Sequence, residues 1–583
     1  MKMSDILLKN CRVYDPMHKI DGEITDIAIS NGKIAEKTSG KTKEIDVKGR
    51  MVMAGGVDMH AHIVGSKLGF GRSMCPEDHR KDPVPKTKTT RGGVGYTMPN
   101  SYVIGYRYSE MGYTTVVEPA LPSLKGLGSW EELEDVPCID NALLPLFCNS
   151  MITFHYVKEK DLSGLAGYIA WILRKVGGLG VKVVCPGGTY AWAHGRNIRE
   201  LDTEVPDWGI TPREIIRGLC QATENLGLPH PMHLHPLNLG KVGNIDTTIQ
   251  HLEALKDIKG HNGRKHIVHL THMSFESLDI FEDENAKPDW KWVSSGGLKL
   301  AEYMNKNDHF TTDLGQITFG PATTMTGDGP FQFSLYQMTK NKWGNICVDV
   351  EMPGGAGVVP YFFDPKSPAN AVQWTIPLEF ALNVKDVWRV IMTTDHPNAG
   401  PFTKYPLVIS WLMSKKQRDI WLDKVHKFAR ERSTLADIDR EWSLYEIAIS
   451  TRAAPAKILG MDDVKGHLGV GADADVTVYD YDPTKGNLAD DPEKIIKVFG
   501  QAYMTIKGGE QIAKKGKIGK TPTGSVWTMH PELRDDLWDR TNKELEKMMN
   551  EWYAHSFNNY PVPERYREHL EKKIKLDSTS VKA

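Results

Sequence analysis

Between Met51 and Asp395 the chain holds eight short apolar runs rich in β-branched residues, with helical patterns between several of them. The runs lead into His60 or span Tyr113–Glu118, a segment near Met151–Phe154, Val181–Val184, Pro231–His235, His266–His272, His309–Leu314 and Val387–Asp395. The stretch Thr211–Ala222 shows the helical side of the pattern, with Thr211 placed to cap and Pro212 at the first helical position. Eight strands alternating with helices predict an α/β fold, a (β/α)8 barrel in which each strand's C-terminal end opens onto one face.

The flanks read differently. Residues 4–50 are short strands and turns, including a hairpin over 26–34 around Asn31-Gly32. After Pro455 the pattern returns to β, with an alternating strand ending near Asp480, and the tail from Pro531 is helical. Residues 318–375 carry many Gly and Pro and read as an insertion before the last barrel strand. A length of 583 residues exceeds one compact core and predicts a large domain with a smaller companion. A net charge of −2 gives no electrostatic case for nucleic acid, and no apolar run reaches the roughly 18 residues of a membrane helix. The cysteines, Cys11, Cys75, Cys138, Cys148, Cys185, Cys220 and Cys347, are odd in number and form no CxxC. They are expected to be reduced thiols in a cytoplasmic protein, with no iron–sulfur cluster held by this chain.

Five of the predicted strand ends carry metal-ligand chemistry where a packing-only barrel would show Val, Ile and Leu. His60 and His62 are two apart and share a face if extended. Lys182 lies among Val181, Val183 and Val184, where a bare ammonium is costly to bury. Conversion to a carbamate with CO2 would turn it into an oxygen ligand able to bridge two cations. His233 and His235 again alternate, and His235 is nearer the strand's C-terminal end. His269 and His272 are three apart, so a regular strand aims only one of them at a common site. Asp395 closes the series. Imidazole, carboxylate and carbamate suit zinc, manganese and similar divalent ions. Two such ions lower the pKa of a bound water toward about 7 and so provide a nucleophile for a carbonyl carbon. Asp395 is expected to take the proton from that nucleophile and pass it to a leaving nitrogen.

The order of these residues resembles the amidohydrolase superfamily, in its hydantoinase and dihydroorotase branch. Lys182–Thr189, His233–Gly240, Tyr303–His309, Thr324–Pro330, Gly357–Pro360, Val372–Ile376 and Thr393–Thr403 are more closely similar to the amidohydrolase-type subunits of formylmethanofuran dehydrogenases. That resemblance implies a dinuclear zinc site with an N6-carboxylated Lys182, ligands His60, His62, His235 and His272, and Asp395 as catalytic acid–base. It selects His272 over His269, the choice the wider superfamily pattern favours. It also implies a composite β-sandwich from residues 1–52 and 456–528, a barrel over 53–455 and a C-terminal extension over 529–583. The implied reaction joins formate to the amine of methanofuran, or hydrolyses the product. The implied partners are iron–sulfur subunits and a molybdenum or tungsten pterin subunit, with no molybdopterin in this chain. Related formyltransferase/hydrolase subunits and free-standing cyclic amidases of the hydantoinase type are the alternatives.

Overall fold

A computed structural model of the protein describes residues 5–123, 126–283, 285–346, 356–553, 555–559 and 564–576; Cys347, Gly354 and Gly355 lie outside them. Eight parallel strands form the barrel: β1 (Gly56–Asp58), β2 (Tyr113–Leu121), β3 (Asp140–Pro145), β4 (Lys182–Val184), β5 (Met232–His235), β6 (Val268–Leu270), β7 (Phe310–Asp313) and β8 (Val390–Ile391). β1 to β3 pair in order, as do β4 to β8. Two bridges close the ring, Leu146 to Lys182 and Ala61 to His396. The first joins the residue after β3 to the first residue of β4, and the second falls past the C-terminal ends of β1 and β8. The helix expected from Thr211 forms as Pro212–Asn225, with the reciprocal Thr211 and Glu214 capping bonds.

One strand differs from expectation. Met151–Lys158 is a helix capped by Ser150, and the third strand is Asp140–Pro145. The polar start Asp140-Asn141 hides this strand from a hydropathy reading. Its buried carboxylate is answered by Lys465 and Lys507, more than three hundred residues along the chain, a partnership with no local signature.

The tail from Pro531 is not wholly helical, since Glu571–Ile574 is a strand parallel to Val526–Met529. The latter strand, from the segment assigned to the β-sandwich, joins the barrel instead. Val526–Met529 pairs in parallel with the N-terminal end of β3, and Met529 N donates to Gly178 O at 2.9 Å. It thus fills the gap where β3 and β4 part below their bridge. The helix Asp535–Tyr553 buries Leu537, Thr541, Leu545, Met549 and Tyr553, one residue per turn, against Leu162–Val176. Gly167 permits the approach, because a Cβ there would lie 2.4 Å from Thr541 Oγ1. A nine-stranded sheet unites the two ends of the chain. Its join is Met51–Ala54, parallel to Asp5–Asp15 on one side and antiparallel to Val476–Val478 on the other. The Asn31-Gly32 hairpin forms as expected, both residues in the left-handed region.

Where this sheet meets β3, the Lys465 ammonium lies 2.5 Å from Asp140, 2.7 Å from Asp475 and 2.8 Å from Asp473, all buried. Burial would raise the Asp473 carboxyl, but Lys465 and Lys33 outweigh it and hold it at about 2. A carboxyl depressed in the folded state stabilises above its unfolded value near 4, and this support is lost as pH falls toward 2. Lys465→Met leaves the carboxylates short of their cation. It is expected to destabilise the fold by about 3–5 kcal/mol, read as a lowered urea midpoint.

Candidate metal centre

The barrel interior brings three groups of potential ligands together among the described residues; one is His60, His233 and Asp313, and the other two lie toward the C-terminal ends of the strands. In one of these two, His60 Nε2 and His62 Nε2 lie 3.1 and 3.5 Å from Asp395 Oδ1. In the other, His272 Nε2 lies 3.1 Å from His235 Nδ1, and His272 Nδ1 lies 3.9 Å from Glu276 Oε1. Within each group the candidate ligand atoms lie within 4.8 Å of one another, and every member is buried. His60 and His272 link the latter two groups, their ring centroids 5.4 Å apart. Lys182 is buried with them, and its Nζ has no hydrogen-bond partner. Burial lowers this amine to about 7, against the pull of Asp313 and Asp395.

Local backbone aims these groups. Asp395 and His272 adopt left-handed φ values of 46° and 30°, which turn the chain sharply as it leaves β8 and β6. Asn398 holds the first turn, its Nδ2 donating to Asp395 Oδ1 at 2.8 Å and its N–H to Asp395 O at 2.6 Å. The turn at His272 places it beside His235. His269 stays on β6 beneath the site, 3.2 Å from Asp313 and 2.8 Å from Thr311 Oγ1, outside all three groups. The structure therefore gathers His60, His62, Lys182, His235, His272 and Asp395 and leaves His269 in the supporting layer.

That supporting layer is what sequence reasoning missed. Glu118 on β2 accepts from His62 Nδ1 at 2.7 Å and from Ile63 N at 2.8 Å. Burial would raise its carboxyl, but the His62 charge and hydrogen bond outweigh that and lower it. Asp313 on β7 lies 3.1 Å from His60 Nδ1 and accepts from Thr393 Oγ1 at 2.6 Å. Burial would lower the His60 imidazole, yet Asp313 and Asp395 push it up to about 9. Asp395 itself is held well below the carboxylate range, because His272 and His60 outweigh its burial. Asp328 lies 3.3 Å from His235 Nε2. Glu276 is buried with neither carboxylate oxygen hydrogen-bonded, and burial pushes it well above its ordinary value. A signal existed for two of these. Glu118 ends the apolar run Tyr113–Val117, and Thr311 alternates onto the face of Asp313.

The donor set fits divalent cations. Imidazole nitrogens face carboxylates across 3–4 Å, and a buried amine and a buried carboxyl stand without hydrogen bonds. Such unsatisfied groups are costly in a sealed core and are accounted for by cations placed among them.

Fold and site together define a metal-dependent hydrolase class, and the chain belongs to the amidohydrolase family, whose sequence profile matches residues 43–513. Protein FwdA of Methanocaldococcus jannaschii is 44% identical over 581 residues, 99% of this chain and all of that protein. The A component of the formyltransferase/hydrolase complex Fhc of Methylorubrum extorquens is 32% identical over 95% of each chain. The crystal structure of the formyltransferase/hydrolase complex (FhcABCD) from Methylorubrum extorquens in complex with methylofuran contains a similar chain. It aligns with a TM-score of 0.88 at 30% identity, covering 98% of this chain and 100% of that one. The resemblance read from the motifs is borne out over the whole chain.

Proposed function

We propose that this chain is the amidohydrolase-type subunit of a formylmethanofuran dehydrogenase, forming N-formylmethanofuran from formate and methanofuran and hydrolysing it in reverse. The observation that carries the reading is the convergence of His60, His62, Lys182, His235, His272 and Asp395 in one buried site, in a chain similar end to end to Protein FwdA.

His60, His62 and Asp395 would hold one cation and His235 and His272 the other, and Lys182, as its carbamate, would add oxygen ligands to the set. In that modification the neutral Nζ attacks the carbon of CO2, an N–C bond forms and a proton leaves. Zinc best matches the imidazole-rich set. When bound, the pair would supply Lewis acidity to the formyl oxygen and lower the pKa of a water. The chain's own residues do the rest. Asp395, aimed by Asn398, accepts the proton of the attacking water and returns it to the leaving amine nitrogen. Glu118 and Asp313 hold the imidazoles that flank it. In the condensing direction the same carboxylate removes the amine proton as the C–N bond forms and passes it to the formate oxygen, which leaves as water when its C–O bond breaks.

The similar chain of Methylorubrum extorquens is part of a multisubunit complex, which supports a complex here too; the partners we propose are iron–sulfur subunits and a pterin-bearing, formate-producing subunit, within a one-carbon pathway such as methanogenesis in the cytoplasm. The test is purification of the chain from its native source with a formate-release assay. Co-elution with metal–pterin and iron–sulfur subunits, and release of formate from an N-formyl furfurylamine, are expected. A lone oligomer that opens a hydantoin ring and leaves the formamide intact would replace this reading with the cyclic amidase.

A further inference from the structure

A file of histidines runs through the barrel interior beneath the site. His230 Nδ1 lies 3.1 Å from the backbone oxygen of Ile458. His230 Nε2 lies 3.0 Å from His233 Nδ1, and His233 Nε2 lies 3.1 Å from His60 Nδ1. The proposed mechanism uses neither His230 nor His233. Both rings are fully buried, and among the described residues no carboxylate hydrogen-bonds to either. A buried imidazolium without a counter-charge is costly, so both rings are neutral.

The direction of every bond in this file follows from its far end. A carbonyl oxygen only accepts, so His230 must carry its hydrogen on Nδ1 and present a lone pair at Nε2. His233 must then donate from Nδ1 and present a lone pair at its own Nε2. Facing that lone pair at 3.1 Å, His60 must keep a hydrogen on Nδ1. Its Nε2, directed at Asp395, is then the nitrogen left to bind a cation. We infer that His230 and His233 are positioning residues, a relay anchored on the Ile458 carbonyl that fixes which nitrogen His60 offers to the metal centre. His62 reaches the same end by a shorter route, because Glu118 takes its Nδ1 hydrogen directly. Asp313 shares the His60 Nδ1 hydrogen with His233 and so backs the relay. The reversed relay is excluded by the carbonyl alone, since it would need Ile458 O to donate.

The inference rests on the metal site proposed above, and the test separates the two. Protein labelled with 15N-histidine is loaded with zinc, and the ring nitrogens of His233 are read by long-range 1H–15N correlation. A hydrogen on Nδ1 and a bare Nε2 are expected. Zinc affinity is then measured by competition with a chromophoric chelator. His230→Leu, which deletes the acceptor for His233, is expected to weaken zinc by about tenfold, the lower end of the 10–100-fold cost of losing an outer partner, because Asp313 remains. His230→Gln, whose amide oxygen can accept in place of Nε2, is expected to restore affinity to within about threefold of the parent protein. A hydrogen on His233 Nε2 in the parent protein overturns the relay, whether or not the variants fold. Equal zinc affinity in the folded Leu variant does so too. Failure of the parent protein to bind zinc at all instead overturns the metal reading.

Discussion

Asp395→Asn is expected to lower formate release from an N-formyl amine by about a thousandfold while zinc content stays near that of the parent protein. The size follows from general acid–base catalysis, worth about 10²–10⁴-fold when the transferring group is removed. The separation of the two readouts follows from the geometry. Asp395 Oδ1 already meets His60 Nε2, His62 Nε2 and Asn398 Nδ2 within 3.5 Å. An asparagine oxygen can occupy that position and remain a neutral ligand, with the other five proposed ligands still in place across the two sites. What the amide lacks is a carboxylate able to take a proton and hand it on. The depressed ionisation of Asp395 fits this role in the parent protein, because its charged form is the one its neighbours stabilise. Parallel metal analysis and single-turnover assays check the result. Wild-type turnover in Asp395→Asn would remove the residue from its assigned role. Loss of metal together with activity would recast it as a ligand alone.

The barrel was legible because its strands sit in β-branched runs and its helices carry cap signals. The ligand-type residues were legible because histidine, lysine and aspartate are out of place at strand ends otherwise filled for packing. Asp140–Pro145 escaped because its identity as a strand rests on Lys465 and Lys507, which arrive from the far end of the sequence. The strand Val526–Met529 escaped for a similar reason, since its partner in the barrel, Asp140–Pro145, comes from far upstream in the chain. His269 and His272 could not be separated by periodicity, because the left-handed turn at His272 breaks the alternation on which such an argument depends. His233 was passed over as one histidine too many. Its place in the file from Ile458 to His60 depends on a carbonyl that no side-chain pattern reveals. The ligands were thus chemically conspicuous, while the groups that orient them were hidden among ordinary polar residues.

Lys182→Ala is expected to lose bound metal by more than the 10–100-fold that removal of a supporting residue costs, and to regain part of it in excess acetate or propionate. An ordinary lysine, ionising near 10.4, is almost wholly protonated at neutral pH and cannot attack CO2. Burial brings Lys182 to about 7, so a large share of it is free amine under the same conditions. Its pKa is lowered, so the reactive form grows as pH rises through 7. Uptake of 13C-labelled CO2 by metal-free protein should therefore climb between about pH 6 and 8 and vanish in Lys182→Ala. Truncation leaves room beside His235 and His272, where a short carboxylate can supply the oxygens that the carbamate would provide. Lys182→Arg gives the contrast. It fills the space, stays charged at every accessible pH and takes up no CO2, so added acids should not restore its metal. Normal zinc in Lys182→Ala without any acid would show that the amine contributes nothing to the site. Rescue of both variants alike would show that the acids act somewhere other than the vacated lysine position.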